Sequence, residues 1–276
     1  MHEILTIAHQ GARSLAPENT LAAARKGYDV GADLWETDVA VTFDGELILF
    51  HDDSLARTTN AEQIYPDLAP WIFSTFTLGE IKSLDAGSWF ERDDPFGQIA
   101  AGAVSTAELK SYRGELVPTV REALQLTKDL NWRVNLELKR QPPPQQAFPL
   151  VEAVLAQINE VDIAPEQVIL SSFNHERLHQ AQRLRPDIEI QALVGYPSTS
   201  PIVWEPLAFS IYNARYTLVT PEDIHWLTSR GISVNLFTVN DSADWARFIP
   251  AGVTGIITDF PQDLLAYLKM AGRKGS

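Results

Sequence analysis

The residues of this chain able to do acid–base or metal chemistry stand at the ends of short apolar runs. His9 closes the run Ile4–Ala8. Glu36 and Asp38 lie near the end of Leu34–Val41, and His51 follows Leu47–Phe50. Glu137 ends the run Arg133–Leu138, with Lys139 just beyond it. Side chains two apart on a strand share a face. Glu36 and Asp38 therefore point one way, as do Glu137 and Lys139, while Thr37 and Leu138 point the other. Three converging carboxylates repel one another unless a cation joins them. An all-oxygen set of Glu36, Asp38 and Glu137 suits one hard divalent ion, Ca²⁺ or Mg²⁺. Lys139 would add a positive charge for an anionic substrate. Two histidines beside a bound anion supply a general acid and a general base. Each residue alone has a plainer reading: a hydrogen-bonded surface histidine, a solvated acidic pair, a lysine with its stem on the surface. Their joint placement at successive strand ends carries the inference. Asp52 and Asp53 read as loop caps. His175, His179 and His225 read as surface residues of helices, and His2 as part of the terminus.

Elements of alternating type must position these residues. The apolar runs above are short and read as strands, as do Val168–Ser172, Ile188–Val194, Ile232–Val239 and Gly255–Thr258. Helical patterns fall between most of them. One runs from Pro17 to Gly31, with Leu21, Ala24 and Tyr28 on one face. Thr77 with Glu80, and Thr119 with Glu122, have capping-box spacing. Further helices are expected over Gln145–Asn159, Glu176–Leu184, Thr220–Arg230 and Ser242–Ile249. Repeated β–α order implies a mainly parallel sheet. Eight or nine strand candidates in 276 residues favour a closed (β/α)8 barrel, a fold of about 250 residues, in one domain. A doubly wound open sheet is the runner-up, weakened because no Gly-x-Gly-x-x-Gly follows the first strand. With no helix between them, Leu34–Val41 and Leu47–Phe50 would need Thr42–Glu46 to return the chain if they run parallel. A distortion is expected there. Ala214–Val219 is the weakest strand candidate. Residues 52–116 form the longest irregular stretch and read as an insertion or lid beside the barrel mouth, whose aromatics, Trp89 and Phe90 included, could line a pocket. Phe237, at a strand end, is the better candidate for a pocket wall.

Composition excludes several classes. The net charge of −14, with no Lys/Arg run, argues against nucleic acid as partner. The absence of cysteine removes disulfides, thiolate nucleophiles and thiolate metal ligands. No stretch reaches about 18 apolar residues, so no membrane span is expected. The first residues lack a signal-peptide pattern, which points to the cytoplasm. No serine stands in a Gly-x-Ser-x-Gly elbow.

Taken together, the motifs are similar to those of the glycerophosphodiester phosphodiesterase family. The resemblance runs from Ile7 to about Asp263. It rests on His9-Gln10-Gly11-Ala12 with Pro17-Glu18-Asn19-Thr20, on Trp35-Glu36-Thr37-Asp38-Val39, on His51-Asp52-Asp53-Ser54-Leu55 with Arg57-Thr58-Thr59, and on Leu136-Glu137-Leu138-Lys139. Leu84-Asp85-Ala86-Gly87-Ser88-Trp89-Phe90, Phe237-Thr238-Val239-Asn240 and Gly255-Ile256-Ile257-Thr258-Asp259-Phe260-Pro261 extend it. The resemblance implies His9 and His51 as the acid/base pair; Glu36, Asp38 and Glu137 as ligands of one divalent ion; and Lys139 as a phosphate contact. It also implies a TIM barrel whose insertion covers the glycerol end of the site. The implied reaction turns a glycerophosphodiester into sn-glycerol 3-phosphate and an alcohol, by attack of the glycerol 2-hydroxyl on phosphorus followed by hydrolysis of the cyclic ester. That is a reaction of lipid and glycerol metabolism on a small-molecule substrate. Where the family usually has an arginine contacting phosphate, this chain has Gln10. Where it often has Trp, this chain has Phe237. Two other readings stay open: a lysophospholipase D-like phosphodiesterase, which needs an apolar groove, and a catalytically impaired protein that binds phosphorylated ligands.

Overall fold

The computed structural model describes residues 4–272; His2 lies outside them. The chain opens with β1 (Leu5–His9), α1 (Leu21–Val30), β2 (Leu34–Val41) and β3 (Leu47–Leu49). Four short helices follow: α2 (Ala61–Ile64), α3 (Leu78–Ile81), α4 (Ser88–Asp93) and α5 (Thr106–Tyr112). Then come α6 (Val120–Asp129), β4 (Val134–Leu138), α7 (Leu150–Val161), β5 (Val168–Ser172), α8 (His175–Leu184), β6 (Glu189–Val194) and β7 (Ile211–Arg215). The chain closes with α9 (Pro221–Thr228), β8 (Ser233–Phe237), α10 (Ser242–Phe248), β9 (Gly255–Thr258) and α11 (Pro261–Met270).

Parallel pairing runs β1-β9-β8-β7-β6-β5-β4-β2, and β1 pairs with β2 to close the ring. This is the expected (β/α)8 TIM barrel. The surplus strand is not the one the sequence suggested. Leu47–Leu49 stands outside the parallel ring and pairs antiparallel with β2, Leu49 opposite Val39. The weak candidate is a true barrel strand, displaced to Ile211–Arg215. The difference has a simple geometric cause. β2 is eight residues long, and only its first part, Leu34–Glu36, is taken up by β1. Its remaining edge, Val39–Val41, is free to accept a hairpin. The Thr42–Glu46 turn thus reverses the chain instead of carrying it back to a parallel start. Phe50 N donates to Asp38 O at 3.0 Å, so the hairpin delivers His51 to the level of the second carboxylate.

Helix ends follow local chemistry. Thr77/Glu80 and Thr119/Glu122 both form reciprocal capping boxes, as does Thr220 with Asp223. The first helix starts later than its pattern implied. Thr20, not the Pro17 region, is the N-cap, its side chain accepting from Ala23 N, and Gly31 closes the helix at φ 91°. Tyr28 is exposed rather than on the buried face. The expected Gln145–Asn159 helix is split, a single 3₁₀ turn at Gln145–Ala147 preceding α7. All of β2 is buried because both of its faces are covered. Trp35, on its outer face, stacks on Trp132 at 6.4 Å and donates Nε1 to Thr127 Oγ1 at 3.1 Å. Truncating such a fully buried indole costs about 3–5 kcal/mol.

The α2–α5 segment packs two small cores of its own. One holds Leu55, Phe73, Phe76, Ile81 and Leu84 against Ile48 and Phe50. The other holds Trp89, Phe90, Leu109 and Tyr112 against Leu15 and Ala23. Trp89 and Phe90 are therefore core residues, not the pocket wall expected of them. Among the described residues, no helix is long and apolar enough to cross a membrane.

Candidate active site

The strands bring Glu36, Asp38 and Glu137 together by register. Asp38 lies opposite Glu137 across the β2–β4 pair, and Glu36 lies opposite His9 across β1–β2. One oxygen from each of the three carboxylates lies within 4.8 Å of the others. Burial, reinforced by the neighbouring Asp38 and Glu137 charges, raises Glu36 well above the usual carboxylate range. Burial and the Asp38 charge push Glu137 up to about 7. Asp38 is the anion of the group. Burial works against its charge, but Lys139, His51 and Asn19 together hold it at about 2. Asn19 Nδ2 and Gln10 Nε2 both donate to Asp38 Oδ2, at 3.0 and 2.7 Å. Lys139 Nζ sits 3.4 Å from Asp38 Oδ1 and donates to His51 O at 2.7 Å. Such a compact set of hard oxygens, under-neutralised by one lysine, fits a divalent cation. Gln10 Oε1, buried beside it with no hydrogen-bond partner, adds another oxygen of the same chemistry.

Gln10 occupies a strained turn. Its φ is 53°, and that of Gly11 is 81°, where a Cβ would sit 2.5 Å from the Ala23 backbone. This turn folds Gln10 inward. Its side chain is fully buried against Asp38 and is not among the residues lining the open cavity.

Each histidine is held at Nδ1 by a carboxylate. His9 Nδ1 lies 2.6 Å from Asp259 Oδ1, and His51 Nδ1 lies 2.8 Å from Asp52 Oδ1. A carboxylate only accepts, so Nδ1 carries the proton and Nε2 is left for chemistry. His9 Nε2 is 3.9 Å from Glu36 Oε2. The Asp38 charge raises the His51 pKa against the opposing effect of burial, with help from Asp52. Asp52 and Asp259 were not singled out by sequence as site residues. Asp52 sits beside its histidine, but Asp259 stands 250 positions from His9, and only the closure of β9 on β1 joins them.

A charged arc links the two pairs. Asp259 also accepts from Asn240 Nδ2 at 2.6 Å, and its Oδ1 lies 3.8 Å from Arg13 Nε. Arg13 donates to Glu18 Oε2 at 2.6 Å. Arg57 donates to both oxygens of Glu18 and to both of Asp52. The buried Glu18 is thus the central anion between two arginines, each reaching toward one histidine's carboxylate.

The two histidines and part of the carboxylate cluster open into one cavity of about 1070 Å³ at the C-terminal mouth of the barrel, where TIM-barrel enzymes place their sites. His9, Asp38, His51, Glu137, Lys139 and Phe237 line it. His175, read from sequence as a surface residue, also lines this cavity, with Nε2 3.0 Å from Leu193 O and its ring edge-on to Phe209 at 5.1 Å, while His179 stacks on Phe209 at 4.9 Å.

Comparison with known proteins bears on this site. A sequence model of the "Glycerophosphoryl diester phosphodiesterase family" matches residues 9–263. A glycerophosphodiester phosphodiesterase of Caldanaerobacter subterraneus subsp. tengcongensis is 33% identical over 270 residues, covering 97% of this chain and 99% of that protein. One of Bacillus subtilis is 30% identical, over 94% of this chain and 84% of its own length. Among solved structures, an Oleispira antarctica phosphodiesterase in complex with the product sn-glycerol-3-phosphate superposes with a TM-score of 0.76 at 25% identity, over 97% of both chains. A glycerophosphodiester phosphodiesterase from Agrobacterium tumefaciens gives 0.69 at 26% identity, covering 95% of this chain and 99% of that one. With the barrel fold and the near-full-length matches in agreement, the chain belongs to the glycerophosphoryl diester phosphodiesterase family.

Proposed function

We propose that this enzyme hydrolyses glycerophosphodiesters, such as glycerophosphocholine and glycerophosphoethanolamine, to sn-glycerol 3-phosphate and an alcohol. His9 and His51 act as the acid/base pair, and Glu36, Asp38 and Glu137 hold one divalent ion, Ca²⁺ or Mg²⁺. The observation that carries the reading is the pair of imidazoles, each fixed at Nδ1 by a carboxylate, one beside Glu36 and one beside Asp38 and Lys139. In the proposed reaction one Nε2 takes the proton of the glycerol 2-hydroxyl as its oxygen bonds to phosphorus. The other imidazolium returns a proton to the departing alcohol oxygen as that P–O bond breaks. In the second half the roles reverse: water loses its proton, bonds to phosphorus, and the cyclic P–O bond to the 2-oxygen opens. When bound, a divalent ion supplies charge stabilisation to the phosphate oxygens. Lys139 adds a second cation for the phosphate, and Phe237 walls the leaving-group side. Gln10 and Asn19 act one step back, by aiming Asp38. On this reading the chain works as one barrel domain, with residues 52–116 as the insertion that carries Asp52 and Arg57 to the mouth.

The test is release of sn-glycerol 3-phosphate from glycerophosphocholine by metal-stripped protein, with and without added Ca²⁺ or Mg²⁺. The expected result is release restored by one of the ions. No release with either would overturn the reading.

A further inference from the structure

The cavity extends well past the carboxylate cluster. Its volume of about 1070 Å³ is at the upper end of the roughly 300–1,000 Å³ typical of pockets for drug-sized ligands. The far wall is built by Phe173, Arg177, Tyr196, Arg215 and Phe237, all from the C-terminal ends of β5–β8 or the loops and helix that follow. The two arginines there differ from the other cations at the mouth. Lys139 is paired with Asp38, Arg140 with Asp53, Arg13 with Glu18, and Arg57 with Glu18 and Asp52. Arg177 and Arg215 have no carboxylate partner among the described residues. Arg177 spends Nη1 on the carbonyls of Leu138 and Lys139. Burial alone lowers its pKa, with no carboxylate acting against that effect. Arg215 spends Nε on Gly195 O at 2.9 Å, and its guanidinium lies 5.4 Å from the centre of the Phe237 ring. Each keeps N–H donors free. In a chain of net charge −14, two unpaired guanidiniums in one cavity wall are an exception to the pairing seen elsewhere at this mouth.

The aromatic rings beside them admit a different reading. Phe173 packs at 5.7 Å on Tyr196 and at 5.9 Å on Phe237, and such rings can hold a quaternary ammonium. Here, however, Arg215 already lies over Phe237, and both guanidiniums repel an incoming cation. Glu176, on the same wall, is exposed and pairs with neither arginine among the described residues.

We propose that Arg177 and Arg215 form an anion subsite for the leaving group, so that the preferred substrates are glycerophosphodiesters whose leaving alcohol carries its own phosphate or carboxylate. The proposal rests on the phosphodiesterase reading above and names its substrate class. The experiment compares kcat/KM for sn-glycero-3-phospho esters of choline, glycerol, phosphoglycerol and 3-hydroxypropionate. The expected result is a preference of roughly tenfold or more for an anionic ester over the choline ester, the scale of one charge-assisted hydrogen bond. The last two esters distinguish phosphate from carboxylate. Arg215→Met and Arg177→Met should each shrink the anionic-to-choline ratio by a similar factor, and Arg215→Lys should keep part of it. Equal or better turnover of the choline ester, or an unchanged ratio in a folded Arg215→Met protein, overturns the subsite. If no ester is turned over, the reaction itself is refuted. The relative affinity of native and Arg215→Met protein for glycerol 1,3-bisphosphate against sn-glycerol 3-phosphate then decides the subsite separately. A bisphosphate advantage that disappears in the variant supports it, and equal affinities refute it.

Discussion

The carboxylate cluster should make the metal-free protein lose stability as pH rises, and Glu137 gives the clearest handle on the effect. In the fold its pKa is pushed up to about 7, while an exposed glutamate titrates near 4.5. Between those values the folded state holds a proton that the unfolded chain has released. The stabilisation is therefore complete below about 4.5 and is lost as pH climbs through 7. Each pKa unit corresponds to about 1.36 kcal/mol. The difference between about 7 and 4.5 is thus an upper value of about 3 kcal/mol, reduced in practice because Glu137 opens on one side to the cavity. Glu36 is raised in the same direction and adds to the slope. For a chain of this size the Glu137 part amounts to a fall of roughly 5–10 °C in Tm. The assay is a thermal melt in chelator from pH 5 to 8, on native protein and on Glu137→Gln. The variant keeps the shape and removes the charge, so its profile should be flatter and its Tm at pH 8 higher than native. Added Ca²⁺ or Mg²⁺ should raise the native Tm at pH 8 and raise that of the variant much less. A native metal-free profile that is flat or rises over this range, or a Glu137→Gln profile parallel to it, would refute the account of the cluster.

Other expectations follow from the same geometry. His9→Ala and His51→Ala should each reduce kcat by about 10²-fold or more while leaving Tm near native, read by product release and thermal melting. Normal turnover in either would remove that residue from the acid/base pair. Asp259→Asn leaves the volume of the site intact but takes the anion from His9 Nδ1. It should lower kcat by roughly 10–100-fold with little change in KM, and an unchanged kcat would show that His9 needs no orienter. Glu18→Gln strips the central anion from two arginines. It should cost at most about 3 kcal/mol, the low end for a broken buried pair because Arg57 is partly exposed, measured as the shift in a denaturant midpoint. A midpoint within error of native would mean that the arc contributes no stability.

What was legible in the sequence was whatever depends on short-range periodicity. The two-residue spacing of Glu36 and Asp38 on β2, and of Glu137 and Lys139 at the end of β4, places each pair on one face whatever the rest of the chain does. Capping boxes at Thr77 and Thr119 are equally local. The direction of Leu47–Leu49 was not legible. Three buried apolar residues look the same in a parallel barrel strand and in an antiparallel hairpin, and only the unused edge of β2 decides between them. Ile211–Arg215 was displaced in the sequence reading for the opposite reason. Its inward residue is Asn213, which accepts from Asn235 Nδ2 at 2.9 Å inside the barrel, so the apolar signature is broken where the strand is most buried. The orienting carboxylates are legible only as motif letters. Nothing in their local spacing ties Asp259 to His9 or Glu18 to Arg57.

The charged arc gives those letters a physical role. In the proposed reaction, a histidine that accepts and returns protons has to keep one tautomer and one direction while the charge beside it changes. Asp259 and Asp52 supply that constraint, but a carboxylate near buried acids is itself held in place only if cations hold it. Arg57 does this directly for Asp52, and Arg13 does it more weakly for Asp259 from 3.8 Å. Both arginines would otherwise be free to turn toward the carboxylate cluster or the substrate. Glu18 prevents this by anchoring the two at once from a buried position. Gln10 solves the matching problem inside the cluster. A neutral amide donates to Asp38 without adding a charge, so neutralisation is left to Lys139 and, on the proposed reading, to a divalent ion. The cation that an arginine would supply at this turn is therefore missing beside the carboxylate cluster, while two arginines without a carboxylate partner among the described residues stand farther along the cavity. If Arg177 and Arg215 form the proposed anion subsite, the positive charge of this mouth has its weight toward the leaving group, and that asymmetry is the feature that should set the substrate preference.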